Sequence, residues 1–175
     1  MKIAILLYQG VTALDAVGPY EVLSRVPGAT VHFVAKSVEP IVTDTGMLTL
    51  LPELTLEQLP DPDVLLIPGA SEGYRAAMAD EAIIEWVRGA HATSRWTTSV
   101  CTGALILGAA GILNGLEATT HWAASRFLPL FGARYSAQRV VKQGKVITAA
   151  GVSAGIDMAL SFAADLAGQE TAEAI

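Results

Sequence analysis

Short apolar runs alternate along this chain with stretches whose apolar positions recur at helical spacing. Ile3–Leu7 is an uninterrupted apolar run closed by Gln9-Gly10, which has the length and punctuation of a buried strand. Thr30–Ala35 predicts a second strand, Val64–Ile67 a third that stops at Pro68-Gly69, and Trp96–Val100 another. Helices are predicted over Pro19–Arg25, with Tyr20, Val22 and Leu23 available for packing, and over Glu81–His91 through Ile84, Trp86 and Val87. Further helices are predicted over Thr102–Ala110, over His121–Leu130 after a short strand, and over Ser153–Ala167 with Ser153 as N-cap. Two hairpins complete the pattern. Val38–Thr43 and Met47–Leu51 flank the turn Asp44-Thr45-Gly46, and Arg139–Lys142 and Lys145–Ala149 flank Gln143-Gly144.

Strands alternating with helices imply an α/β architecture with a mostly parallel sheet covered on both faces, and ligands in such sheets bind at the carboxyl ends of the strands. No linker, repeat or shift of composition divides residues 1–175, which predicts a single domain. With 52% hydrophobic and 16% charged residues the chain can bury a sizeable core. A net charge of −6 without any Lys/Arg cluster argues against nucleic acid as a partner. One cysteine allows no internal disulfide, so a cytoplasmic location is expected. The N-terminal apolar run is too short for a signal peptide. The uncharged stretch Trp96–Leu116 is broken by Thr97, Thr98, Ser99 and Thr102 and by four glycines, which fits a core strand and core helix better than a membrane span.

Three strand ends carry candidate chemistry: Asp15 to Pro19 after the first strand, Pro68 to Ser71 after the third, and Ser99-Val100-Cys101-Thr102-Gly103 after the Trp96 strand. In a parallel sheet these loops converge on one edge. Cys101 lies at a strand-to-helix junction, and Gly103 removes a side chain that would crowd the turn. A helix beginning there would turn its amide N–H groups toward the sulfur and favour the thiolate; the alternative is a small buried hydrophobe. Asp15 is either a protonated hydrogen-bond donor to the Cys101 sulfur that later serves as general acid, or an N-cap. Gly69 and Ala70 offer backbone N–H groups to a developing negative charge, or simply end a strand. His121 and Trp122 open a helix beside the expected pocket, and His121 is either a partner for Cys101 or a structural hydrogen-bonder. The three histidines and one cysteine lack metal-ligand spacing, and neither a phosphate loop nor a dinucleotide fingerprint is present, so no metal or cofactor is expected.

In chain order, Ile3–Leu7, Leu14-Asp15, Gly18–Leu23, Ile67-Pro68-Gly69, Ser99–Gly103, Ala109–Leu113, Ala118–Trp122 and Gly151–Asp157 resemble the ThiJ/PfpI superfamily, the class I glutamine amidotransferase-like group. The resemblance spans nearly the whole chain. It implies a flavodoxin-like three-layer sandwich with a cysteine nucleophile elbow, a small-molecule substrate and a homodimer. Within the superfamily the chain is similar to isocyanide (isonitrile) hydratases, which convert R–N≡C and water to an N-formamide. That similarity implies Cys101 as nucleophile through a thioimidate, Asp15 as proton shuttle and Thr102 orienting the site through its hydroxyl. Peptidase-like relatives place histidine directly after the cysteine, where this chain has Thr102. Hydratases often carry a second glycine where this chain has Ala70. Sensor domains of AraC-type transcription regulators are similar in the Cys101 and Thr119–Trp122 regions and make a non-enzymatic ligand sensor the rival expectation. Those regulators append a DNA-binding module, and no basic module appears before Ile175. Glyoxalase-like chemistry and oxidative sensing are the remaining cysteine activities the resemblance implies.

Overall fold

Runs that are apolar at every position need both faces covered, and the computed structural model, which describes residues 1–175, places them in the middle of one sheet. In chain order the elements are β1 (Lys2–Leu6), α1 (Ala13–Leu23), β2 (Thr30–Ala35), β3 (Ile41–Val42), β4 (Thr49–Leu50), β5 (Leu54–Thr55), β6 (Val64–Ile67), α2 (Gly73–Ala79), α3 (Glu81–Thr93), β7 (Trp96–Val100) and α4 (Gly103–Ala109). There follow β8 (Glu117–Ala118), a 3₁₀ helix (Trp122–Phe131), β9 (Arg134–Tyr135), β10 (Val140–Gln143), β11 (Val146–Ala149), α5 (Ala154–Ala167) and α6 (Gln169–Ala174).

The main sheet has seven strands in the order β10-β11-β7-β6-β1-β2-β5, parallel throughout except where β10 pairs antiparallel with β11. Ile5 of β1 is flanked by Phe33 of β2 and Leu66 of β6, which fixes the register at the centre. The chain leaves β1 toward β2 but leaves β6 in the opposite direction, toward β7. Right-handed crossovers then put α1 on one face and α2–α3 on the other, and the result is a three-layer α/β sandwich of the flavodoxin-like kind. On one face α1 packs against α5, where Gly18 leaves only 3.0 Å between its absent Cβ and Ile156. On the other, α4 packs against α2, α3 and the 3₁₀ helix. The reversal of direction between β1 and β6 opens a crevice at the carboxyl edge of the sheet. No helix is long and apolar enough to cross a membrane.

Several boundaries differ from the sequence pattern for identifiable reasons. Helix α1 begins at Ala13, not Pro19, and carries Pro19 in its interior. Proline there removes an amide donor and disfavours the turn before it, but packing of α1 on α5 outweighs that local preference. Asp15 therefore lies inside the first helical turn, while Thr12 occupies the N-cap position. The segment after His121 is a 3₁₀ helix instead of an α-helix; it contains Pro129 and ends at Gly132 in the left-handed region. Ser153 precedes α5, yet its hydroxyl makes no cap and instead accepts a bond from Arg139 Nη2 at 3.0 Å. The first hairpin keeps its turn, with Gly46 at φ 72°, but its ladder shrinks to β3 and β4. The short elements α2, β5, β9 and α6 have no clear signal in the pattern.

The elbow before α4 depends on the absence of one side chain, since a Cβ on Gly103 would lie 2.1 Å from the Ile67 carbonyl oxygen. Gly103→Ala should therefore lose about 2 kcal/mol or more. Gly89, in the interior of α3 with open space around it, is the control. Gly89→Ala should gain about 0.5–1 kcal/mol, and urea denaturation of both variants reads the opposite signs.

Candidate functional site

Cys101 follows β7 with φ at 58°, a left-handed conformation that non-glycine residues rarely adopt. Such a residue costs on the order of 1–3 kcal/mol and persists only where its surroundings hold it. Here its N–H is shared between the carbonyls of Ala149 and Ala150, at 3.1 and 3.0 Å, and its own carbonyl accepts the Thr120 hydroxyl at 2.8 Å. The turn presents the thiol at the floor of a cavity of about 450 Å³. Ala70, Thr102, His121 and Val152 also line this cavity, with Tyr74, Arg126 and Phe127 farther along its walls.

The three loops expected to converge do so, joined by hydrogen bonds. The Thr102 hydroxyl accepts from the Ala70 N–H and donates to the Ala70 carbonyl, both at 2.8 Å. The Gly69 N–H donates to Asp15 Oδ2 at 3.1 Å, and the Gly69 carbonyl accepts from the Thr12 N–H at 2.9 Å. A side chain on Gly69 would collide with the Thr102 nitrogen at 2.6 Å and with Asp15 Oδ2 at 2.9 Å. This closeness explains the glycine. It also corrects the expected role of the loop: the Gly69 and Ala70 N–H groups are already occupied by Asp15 and Thr102. The backbone N–H groups of Thr102 and Val152 lie near enough to the Cys101 sulfur to favour its charged form.

Asp15 is fully buried and does not line the cavity. Its second oxygen, Oδ1, has no hydrogen-bond partner, and the carboxyl lies near enough to the Cys101 thiol for each to shift the other's protonation. Burial raises the Asp15 carboxyl to about 7, against the lowering effect of its bonds to Cys101 and Gly69; the Asp44 charge adds to the rise. Burial likewise pushes the Cys101 thiol up to about 12, and the Asp15 charge pushes in the same direction. The expectation of a resting thiolate is thus reversed. The N–H groups of Thr102 and Val152 pull the other way but are outweighed by burial. Tyr8, buried beside this pair, donates to the Pro68 carbonyl at 2.8 Å and is itself shifted upward, chiefly by burial.

His121 Nδ1 accepts from the Ala123 N–H at 3.3 Å and caps the 3₁₀ helix, and the ring makes no hydrogen bond with Cys101. Trp122 is a correction: it is 77% exposed and takes no part in lining the cavity. Val152 and Tyr8 carried no role in the sequence reading. Val152 has the same strand-to-helix placement that marked Cys101 and a positive φ of 39°. Tyr8 lies two residues past the end of β1 but carries no motif.

The Asp15 shift has a consequence for stability. Its folded value of about 7 exceeds the ordinary 3.8, so the folded state binds the extra proton and loses stability as pH rises across that interval. The full loss amounts to about 4 kcal/mol by pH 8. Asp15→Asn should therefore gain stability over the parent between pH 4 and 8, with the gap widening upward. Parallel urea denaturation series of the two proteins measure that gap.

Comparison with known proteins follows the same architecture. The DJ-1/PfpI family model matches residues 1–165. Isonitrile hydratase of Pseudomonas putida is 44% identical over 175 residues, covering 100% of this chain and 76% of that protein. The HTH-type transcriptional regulator CdhR of Pseudomonas aeruginosa is 29% identical over 146 residues, covering 81% of this chain and 42% of the regulator. The crystal structure of a THiJ/PfpI family protein from Pseudomonas syringae superposes with a TM-score of 0.96 at 41% identity, covering 99% of this chain and 72% of that one. The chain belongs to the DJ-1/PfpI family.

Proposed function

We propose that the protein hydrates isocyanides to N-formamides, with Cys101 as nucleophile and Asp15 as the group that carries its proton. The observation that supports this most is the buried Asp15 carboxyl, with Oδ1 free of other partners, set against a protonated thiol at the cavity floor. The 44% identity to isonitrile hydratase points the same way.

A thiol that is protonated at rest needs a base as it attacks. Asp15, with a value near 7, is ionised above neutral pH, and its mutual electrostatic influence with Cys101 supports it as the acceptor of the thiol proton. As the sulfur bonds to the isocyanide carbon, Asp15 takes the S–H proton and returns it to that carbon, which gives the thioimidate R–N=CH–S–Cys101. Water then adds across the C=N bond, its oxygen bonding to the carbon and one of its protons passing to the nitrogen. Collapse of the adduct breaks the C–S bond as the hydroxyl gives its proton to the Asp15 carboxylate, which passes it to the departing sulfur; R–NH–CHO is released and the Cys101 thiol is restored. Charge that builds on sulfur along the way meets the N–H groups of Thr102 and Val152. Thr102 acts through its two bonds to Ala70, which keep the Gly69–Ala70 loop, and hence Asp15, in place. The absence of an adjacent histidine and the use of His121 as a cap leave Asp15 as the proton carrier.

Product analysis by mass spectrometry across several isocyanides tests the reading. Formamide should appear with the parent protein and be absent with Cys101→Ala. Asp15→Asn should slow turnover by about 10²–10⁴-fold. The parent kcat/KM should fall as pH drops below about 7, as protonation removes the base. No formamide from any isocyanide, together with saturable binding of a small ligand, would favour a sensor like the regulator domains.

A further inference from the structure

The cavity above Cys101 is lined by four charged side chains, and three of them already have partners in the chain. Arg75 pairs with Glu72 at 3.0 Å and lies over the Tyr74 ring. Asp44 Oδ2 accepts from the Thr12 hydroxyl at 2.6 Å and from the Ser71 hydroxyl at 2.9 Å. Arg126 is different. Its guanidinium stacks on the Phe127 ring, with the central carbon 4.8 Å from the ring centroid, and it enters none of the ion pairs of the chain. Arg88, Arg134 and Lys145 also lack an acidic partner but donate to backbone carbonyls, while Lys2 begins β1 and Arg95 directly precedes β7, both at the opposite edge of the sheet from the site.

A guanidinium offers five N–H donors in a rigid fork that matches a carboxylate, and it stays charged at any physiological pH. Stacking on Phe127 orients that fork before a ligand arrives, which reduces the ordering cost of docking. The chain carries a net charge of −6, so an unpartnered cation in the cavity wall marks a local point of attraction for an anion, even with the Asp44 carboxylate in the same cavity. Ala123, Ala124 and Phe127 line the same cavity as Arg126 and Cys101, and their apolar surface suits a hydrocarbon spacer.

We propose that the substrate is an isocyanide whose R group bears a carboxylate, docked on Arg126 while the isocyanide carbon reaches Cys101. This inference rests on the hydratase reading and adds the substrate class. The carboxylate takes no part in the bond changes.

The test compares ω-isocyanoalkanoates of increasing length with neutral isocyanoalkanes of matched length. At one or more lengths kcat/KM should favour the carboxylate by about tenfold, mainly through KM. That ratio should shrink as salt rises from about 20 to about 500 mM. Arg126→Gln should reduce the ratio by about fivefold or more, and Arg126→Lys should retain part of it. Equal rates for carboxylate and neutral compounds at every length overturn the inference while leaving hydration intact. So does an Arg126→Gln effect that is the same for both series. If no compound is hydrated, the hydratase reading fails, and calorimetric titration of Cys101→Ala with N-formyl-ω-aminoalkanoates decides the anion site by itself. Binding that vanishes in the Cys101→Ala, Arg126→Gln double variant supports it, and no carboxylate binding overturns it.

Discussion

The Thr102 hydroxyl uses both its donor and its acceptor capacity on one residue, Ala70, and the geometry of the site depends on that double bond. It ties the loop after β6 to the elbow after β7, two segments that otherwise share only strand pairing below them. Gly69, one residue back, can then approach the Thr102 backbone closely and direct its N–H at Asp15. The position of Asp15 relative to Cys101 is therefore set through Thr102, Ala70 and Gly69 in turn. Any group at position 102 without a hydroxyl would leave the buried Ala70 N–H and carbonyl unsatisfied, at a cost of about 1–3 kcal/mol for each.

Electrostatics at the pair is a contest between burial and local donors, and the magnitudes decide it. A helix terminus contributes about 0.3–1 kcal/mol to a nearby charge, and α4 is only seven residues long. Raising the thiol from its ordinary 9.0 to about 12 corresponds to about 4 kcal/mol. Burial, joined by the Asp15 charge, thus holds the thiol toward its protonated form, and reactivity requires a base close enough to act during bond formation. Asp15, itself raised to about 7, meets that need near neutral pH. The same burial makes its ionised form costly to the folded state, so the reactive arrangement is maintained at the expense of stability.

Some features were legible because they follow from local rules. The buried strands β1, β6 and β7, the second hairpin and the strand-to-helix position of Cys101 come from apolar runs and turn residues close in the chain. Convergence of Asp15, Gly69 and Cys101 follows from a parallel sheet, since loops at the carboxyl ends of adjacent strands must meet. Helix α1 was misplaced because Gly18-Pro19 is a local break signal, whereas the face it packs against is α5, more than 130 positions away in the chain. Trp122 was misassigned because neighbours on a tight 3₁₀ turn point in different directions, and only His121 faces the cavity.

Local patterns along the chain suffice for the fold class, the three loops that form the site, and the residue types available for its chemistry. These depend on hydrophobic period, turn chemistry and strand order, which are properties of short segments and their sequence of types. Packing between distant segments is what raises the Cys101 thiol, occupies the Gly69 and Ala70 N–H groups, and brings the Val152 N–H near the sulfur. The reason is physical. Protonation and hydrogen-bond satisfaction depend on how much water is excluded and on which groups approach within about 3 Å, and both are fixed by packing between segments that lie far apart in the chain.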